Sequence, residues 1–91
     1  MGVVAEAIRT KLQAAFSPQT LEVIDASERH RGHVGADREG GETHFDVVIV
    51  SGIFQGMGRV DRQRRVNAVL AEELAGPVHA LSISARAPGE G

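Results

Sequence analysis

The helical pattern between residues 59 and 75, which lies between two strand patterns, most constrains the fold of this chain. Val66, Leu70 and Leu74 recur every four residues and form one apolar stripe. The segment "THFDVVIVS" before it is rich in β-branched residues, and the segment "VHALSISA" after it also indicates a strand. Two strands joined by a helix run parallel if they are neighbours in one sheet, and their crossover is right-handed. The sequence therefore predicts a βαβ unit in its second half.

The first half adds a helix and a strand to this unit. An apolar residue at every fourth position predicts an amphipathic helix that ends at Ser17-Pro18, since the residue before proline avoids helical angles. The four residues of this stripe are Val4, Ile8, Leu12 and Phe16. The segment "TLEVID", residues 20–25, predicts a strand that can pair antiparallel with the next one. The fold class is therefore α+β, a sandwich of order αββαβ with a three-stranded mixed sheet and both helices packed on one face.

The chain is expected to form a single domain over residues 1–91, because this length supports one core and not two. Residues from about 26 to 42 are rich in glycine and mixed charge and show no periodicity, so they predict one long loop. A loop of this length in a small domain is usually functional or disordered. Residues from about 86 to 91 predict a polar tail.

Composition excludes several classes of function. There is no cysteine, so the chain has no disulfide, thiolate ligand or catalytic thiol, and any metal must bind histidine or carboxylate. A small domain without disulfides favours a cytoplasmic location. No apolar run reaches the roughly 18 residues of a membrane helix, and the N-terminus lacks the pattern of a signal peptide. A net charge of −2 gives no global electrostatic case for nucleic-acid binding.

The order of elements and several motifs resemble the BolA family over roughly residues 3–87. The matching segments are "AIRTKLQAAFSP", "LEVIDAS" followed by His30, "GETHFDVVIVS", "FQG", "RVDRQRRVNAVLAEEL" and "GPVHALSISARAP". The resemblance implies a class II KH-like αββαβ domain, which agrees with the pattern above. One position departs from the family, which usually has Arg-His-Arg where this chain has Arg62-Gln63-Arg64. The role of that histidine in the family therefore does not transfer to this chain.

The resemblance implies an adaptor and not an enzyme. Proteins of this family pair with monothiol glutaredoxins, and the heterodimer can hold a 2Fe-2S cluster to which the glutaredoxin brings a cysteine thiolate and bound glutathione. The BolA-like chain brings His79 of "VHAL" and a loop residue, here His30, three residues after Ser27, with His33 in reserve. Two histidines on one iron resemble a Rieske-type centre. Since the chain has no cysteine, no cofactor is expected to bind tightly to the isolated chain.

The family is also described as a DNA-binding transcriptional regulator that uses its second long helix. Four cations at the start of that helix lie where they oppose the helix dipole, which points to an acidic surface, glutathione carboxylates or phosphate as a partner. These residues are Arg59, Arg62, Arg64 and Arg65. The alternative is an ordinary solvated face beside Asp61. RNA clamping by the usual KH route is not expected, because the turn before this helix lacks the GxxG motif.

The histidine of "VHAL" has a structural alternative to its ligand role. His79 is in step with Leu81 and Ile83, so it is either a buried structural residue or a ligand at the end of the sheet. His44 alternates with Phe45, which predicts that it faces away from the apolar side in a structural role.

The remaining expectations concern carboxylates and assembly. Glu72 and Glu73 are predicted on a solvated helix face. The chain is expected to be a monomer alone or a weak homodimer, since an edge strand can pair with another copy.

Overall fold

The computed structural model describes residues 2–26 and 43–90, and these follow the predicted order of elements. The predicted loop of residues 26–42 lies outside them except for Ala26. The elements are α1 (Val3–Phe16), β1 (Thr20–Asp25), β2 (His44–Val50), a 3₁₀ turn (Gly52–Phe54), α2 (Arg59–Val69), α3 (Ala71–Ala75) and β3 (Ala80–Arg86).

The three strands form one mixed sheet with β2 in its centre. β1 pairs antiparallel with β2, and β3 pairs parallel with β2 on the other side. Val47 of β2 lies opposite Val23 of β1 and Ile83 of β3, and all three project toward the helices. The parallel pair follows from the helical crossover between β2 and β3, so the predicted three-stranded mixed sheet is confirmed.

The core lies between the sheet and one layer of helices. Every second residue of β2 is buried on the helix side. Three of the four stripe residues of α1 are buried, while Val4 is only partly buried and Ala5 fills the first turn instead. Phe54 of the 3₁₀ turn fills the end of this core, with its ring centre 5.0 Å from that of Phe16. Fully burying such an apolar side chain contributes about 1.5–3 kcal/mol. The helices therefore cover one face of the sheet, and the alternate residues of β2 lie on the other face.

The end of α1 is fixed to the end of β2. Ser17 adopts the left-handed conformation, with φ of 43°, and its backbone N–H donates to the carbonyl of Gln13. The buried Ser51 hydroxyl donates to the carbonyl of Phe16 at 2.6 Å and accepts the Ile53 N–H at 3.2 Å. One hydroxyl thus satisfies an open helix carbonyl and begins the 3₁₀ turn.

The predicted single helix from residue 59 to residue 75 is wrong in one respect, because the structure divides it into α2 and α3. Leu70, with φ of −101° and ψ of 22°, leaves the helical region between them. Its side chain is fully buried, and Leu74 of α3 packs against the same core. The apolar stripe continues across the break, so the sequence pattern gives no sign of it.

The predicted solvated face is correct for Glu72 and wrong for Glu73. Lys11 of α1 lies 2.8 Å from a carboxylate oxygen of each residue, and the Glu73 side chain is buried while that of Glu72 is exposed. The hydrogen bond from Lys11 lowers the pKa of Glu72, and the two carboxylates raise the pKa of Lys11. The error arose because the helix pattern alone does not show that α1 places a cation here.

Candidate functional site

His79 lies immediately before β3, and its side chain is exposed. The predicted strand, which began at Val78, started two residues too early, since β3 begins at Ala80. The backbone N–H of His79 donates to the carbonyl of Thr43 at 2.8 Å, and the N–H of Ala80 reaches the same oxygen at 3.2 Å. The position of His79 is therefore fixed by its backbone while its imidazole faces solvent. His79 is therefore not a buried residue, and its role as a ligand stays a prediction.

His44 lies beside His79, which the sequence reasoning missed. It is the first residue of β2, half-buried, and it faces away from the helices as predicted. Its Nδ1 is 2.7 Å from the hydroxyl oxygen of Thr43, and its ring centre is 6.4 Å from that of His79. Topology could have indicated this pair, because neighbouring parallel strands start at the same edge of a sheet.

The two loop histidines predicted as companions of His79, His30 and His33, lie outside the described residues. Ala26, the last described residue before them, lies at this edge, since its N–H donates to the carbonyl of His44 at 2.7 Å. Thr43 is the first described residue after them, and its carbonyl accepts the N–H groups of His79 and Ala80. Within residues 2–26 and 43–90, no group of three or more histidine, aspartate or glutamate side chains is placed to hold a metal ion.

Arg62 is engaged within the chain. Its Nε donates to the Met57 carbonyl at 2.9 Å, and one terminal nitrogen donates to the Ala85 carbonyl at 3.1 Å. The guanidinium also binds both carboxylate oxygens of Glu90, at 2.6 and 2.8 Å. This pairing, with a further bond from the Ala87 N–H, lowers the pKa of Glu90 to about 2. Arg62 thus serves the fold, and its availability to a partner stays a prediction.

Gln63 also contacts the edge of β3. Its side-chain amide donates to the Ile83 carbonyl at 3.0 Å. Alternate carbonyls of an edge strand point away from the sheet and are open to pairing with another chain. Gln63 and Arg62 bind two carbonyls of β3, those of Ile83 and Ala85, so side chains of α2 cover this part of the edge.

The other three predicted arginines are exposed on α2. Arg59 lies in its first turn, and Arg64 lies 4.0 Å from Asp61 in a loose surface ion pair. Arg64 and Arg65 line a shallow groove with Asp61 and Met57. The cationic surface available to a partner is therefore Arg59, Arg64 and Arg65.

His79 and the side chain of Arg62 lie at opposite ends of β3. Arg62 of α2 contacts Ala85 near the strand's end, whereas His79 precedes its first residue, Ala80. At roughly 3.3 Å per residue the strand is about 20 Å long. Among the described residues, His79 and the contact of Arg62 with Ala85 are therefore on separate parts of the surface.

The model of the BolA family, described as BolA-like protein, matches residues 12–90. The chain belongs to the BolA-like family. BolA-like protein 1 of Homo sapiens is 50% identical over 90 residues, which cover 99% of this chain and 62% of the human protein. The chain thus spans about three fifths of the length of that relative.

Two further relatives support this assignment. The DNA-binding transcriptional regulator BolA of Escherichia coli is 44% identical over 81 residues, 89% of this chain and 72% of that protein. The BolA domain of SufE1 from Arabidopsis thaliana superposes with a TM-score of 0.87 at 41% identity, covering 100% of this chain and 99% of that one. Both the family resemblance and the fold it implied are confirmed.

The Escherichia coli relative is a DNA-binding transcriptional regulator. The structure also bears on the one departure of this chain from the family pattern. At the position where the family usually has histidine, the Gln63 amide bonds the Ile83 carbonyl at the β3 edge. None of the helices in the described residues is long and apolar enough to cross a membrane.

Proposed function

We propose that this BolA-like chain is a non-catalytic adaptor that binds a monothiol glutaredoxin and shares a 2Fe-2S cluster with it, in iron-sulfur trafficking or iron sensing. The observation that carries the proposal is the exposed imidazole of His79 at a fixed point of the sheet edge. A side chain held in this way can meet a ligand on another protein with little loss of backbone entropy.

The donor set of the chain fits a shared cluster and not one held alone. The chain offers imidazoles and has no thiolate, so thiolates must come from the partner and its glutathione. A cluster with imidazoles on one iron has a higher reduction potential than an all-thiolate cluster. His79 would be one imidazole ligand, and His30, with His33 in reserve, is the proposed companion. The anchoring of Ala26 and Thr43 at the His79 edge supports a ligand from the loop.

The exposed arginines are proposed as a second contact for the partner or for glutathione carboxylates. The helix that carries Arg59, Arg64 and Arg65 contacts β3 at Ala85 through Arg62, roughly 20 Å along the strand from His79. A glutaredoxin that touched both surfaces would therefore have to extend along β3. We expect His79 to control the cluster and these arginines to affect only the strength of association.

The test is anaerobic reconstitution of this chain with a monothiol glutaredoxin, glutathione, iron and sulfide, followed by visible circular dichroism. Wild type should change the spectrum of the glutaredoxin cluster, and His79→Ala should not. His30→Ala and His33→Ala identify the loop ligand, and Gln13→Ala, at an exposed position of α1 outside both proposed contacts, is the control. A wild-type chain that leaves the spectrum unchanged, or a His79→Ala chain that acts like wild type, would contradict the proposal.

A DNA-binding regulator is the second candidate, supported by the similarity to the DNA-binding transcriptional regulator of Escherichia coli and by the exposed arginines of α2. Binding to duplex DNA should weaken with salt, since each phosphate contact contributes a slope of about −0.9 in a plot of log affinity against log salt. Arg64→Ala and Arg65→Ala should each reduce that slope. Arg62→Ala should reduce it less, because Glu90 already neutralises this charge. Binding that is independent of salt would reject this candidate.

The location and assembly state are proposed with the function. We infer a cytoplasmic protein that is a monomer, or a weak homodimer, in the absence of its partner. The cover that Arg62 and Gln63 provide over the β3 edge supports the monomer.

A further inference from the structure

The starts of β2 and β3 bring together two histidines that are far apart in sequence. His44 lies opposite Ala80 in the parallel register, which places it next to His79. Thr43, the residue before His44, binds the backbone of His79 through its carbonyl. The backbone positions of the two histidines are thus locked to each other by hydrogen bonds that do not involve their rings.

The separation of the rings is close to that of two imidazoles on one metal ion. The ring centres are 6.4 Å apart, with the planes at 62°. A metal–nitrogen bond of about 2.0–2.1 Å puts the ring centres roughly 5 Å apart around a tetrahedral ion. His79 is exposed, so rotation of its side chain can close the remaining distance of about 1 Å without moving the backbone.

Thr43 provides the orienting contact that a histidine ligand commonly has. Its hydroxyl oxygen lies 2.7 Å from Nδ1 of His44. If Nδ1–H donates to this oxygen, Nε2 is the unprotonated nitrogen and can bind a metal. An imidazole bound to metal almost always donates its other N–H in this way, which fixes both the tautomer and the ring.

Oxygen groups beside the pair suit a cation. Asp46 lies two residues along β2 from His44 and therefore on the same face, opposite Ser82 of β3. His44, Asp46 and Ser82 line one shallow pocket at this edge of the sheet. A carboxylate on the same face as His44 favours a positive charge there, and water can complete the coordination of an ion held by two imidazoles.

We propose that His44 and His79 form a two-imidazole site for one divalent cation of the borderline class, such as Zn²⁺, Ni²⁺ or Cu²⁺. Imidazole ligands suit these ions, and the absence of thiolate removes the competing preference for soft ions. The site forms on the isolated chain and needs neither glutaredoxin nor a cluster. It therefore stands or fails separately from the function proposed above, although a cation bound there would occupy His79.

The experiment is a titration of the full isolated chain with Zn²⁺ or Ni²⁺, followed by nuclear magnetic resonance of the imidazole nitrogens. Both His44 and His79 should shift together with one equivalent of Zn²⁺, with Nε2 of His44 as the bound nitrogen. His44→Gln and His79→Gln should each lower the affinity at least tenfold, whereas His30→Gln and His33→Gln, the other two histidines, should not. Far-ultraviolet circular dichroism confirms that each variant is folded.

Thr43 supplies a second test that a merely structural residue would not meet. Thr43→Val removes the hydroxyl and should weaken the metal site by about 10–100-fold, the usual effect of losing an orienting contact. Thr43→Ser keeps the hydroxyl and should bind like wild type. The proposal is overturned if His44→Gln binds metal as wild type does, if the loop variants lose binding equally, or if Zn²⁺ shifts only His79. Equal affinity in Thr43→Val and wild type would overturn the orienting role.

Discussion

The backbone groups at the two ends of β3 have different kinds of hydrogen-bond partner. This difference decides which side chains are available for function. At the C-terminal end, two outward carbonyls accept hydrogen bonds from the side chains of Arg62 and Gln63. At the N-terminal end, the N–H groups of His79 and Ala80 are bound by the backbone carbonyl of Thr43. Arg62 and Gln63 of α2 are thus used to hold the fold together, whereas His79 is left exposed. The two predicted groups of site residues therefore differ in how far they are available to a partner.

The strongest test of this difference is Arg62→Ala, which should cause the largest loss of stability in the series. The change removes donors to Met57, Ala85 and Glu90, and the first two carbonyls are left without this partner. Arg62→Lys should not restore stability, because an ammonium cannot reproduce the bidentate geometry. Thermal and urea unfolding by circular dichroism measure the effect.

Arg64→Ala is the matched control for that variant, since it removes the same charge from the same helix at an exposed position. We expect its free energy of unfolding to stay within about 0.5 kcal/mol of wild type. Equal losses in the two variants would show that the contacts of Arg62 are not what stabilises this end.

Gln63→Ala should give the next largest effect. It removes one donor from the Ile83 carbonyl, and a net hydrogen bond contributes about 0.5–1.5 kcal/mol. Gln63→His restores the residue usual in the family and offers a ring N–H at this position, so it should lose less. If Gln63→Ala is as stable as wild type, water replaces the amide and this edge is not held by α2.

The pairing of Glu90 with Arg62 predicts a smaller effect that depends on pH. The pKa of Glu90 is lowered from 4.5 to about 2, first by the hydrogen bond from Arg62. Its stabilising contribution is therefore complete above pH 4.5, falls as pH decreases, and is lost below about 2. Wild type should be more stable than Glu90→Gln at pH 7, with the difference closing between pH 4.5 and 2. A difference that is constant over this range would mean that the ionised pair does not contribute.

The smallest effect on stability is expected from His79→Ala. The side chain is exposed, and its backbone N–H, which makes the structural contact, remains in the variant. Unfolding by urea should change by no more than about 0.5 kcal/mol. A large loss of stability would show that the His79 side chain supports the fold. The two ends of β3 would then not differ in this respect.

The fold was predictable because local pattern and family resemblance agreed. The stripe of α1 and the alternation of β2 each match their buried faces in the structure. The break at Leu70 was not predictable, because its apolar side chain suits the helical period while its backbone departs from it. The burial of Glu73 depends on Lys11, which packing brings from the other end of the chain.

The candidate site could be predicted only in part, because the sequence pattern does not show which residues packing brings together. The motif "VHAL" identified His79, and the structure places it where a ligand could act. The alternation along β2 gave the correct face for His44 but not its neighbour on β3. That contact depends on the parallel register. The experiments above decide separately whether His30 or His33 is the cluster companion of His79 and whether His44 binds a divalent cation with it.

The Thr43 carbonyl, which accepts from both His79 and Ala80, also makes this edge of the sheet a reporter of motion. The two amide protons are protected from exchange with deuterated solvent only while β3 stays paired at its first residues. Any opening that exposes them also moves His79 away from His44. Their exchange rates would therefore measure how often the two imidazoles separate, and a bound cation that bridges the rings should slow both amides together.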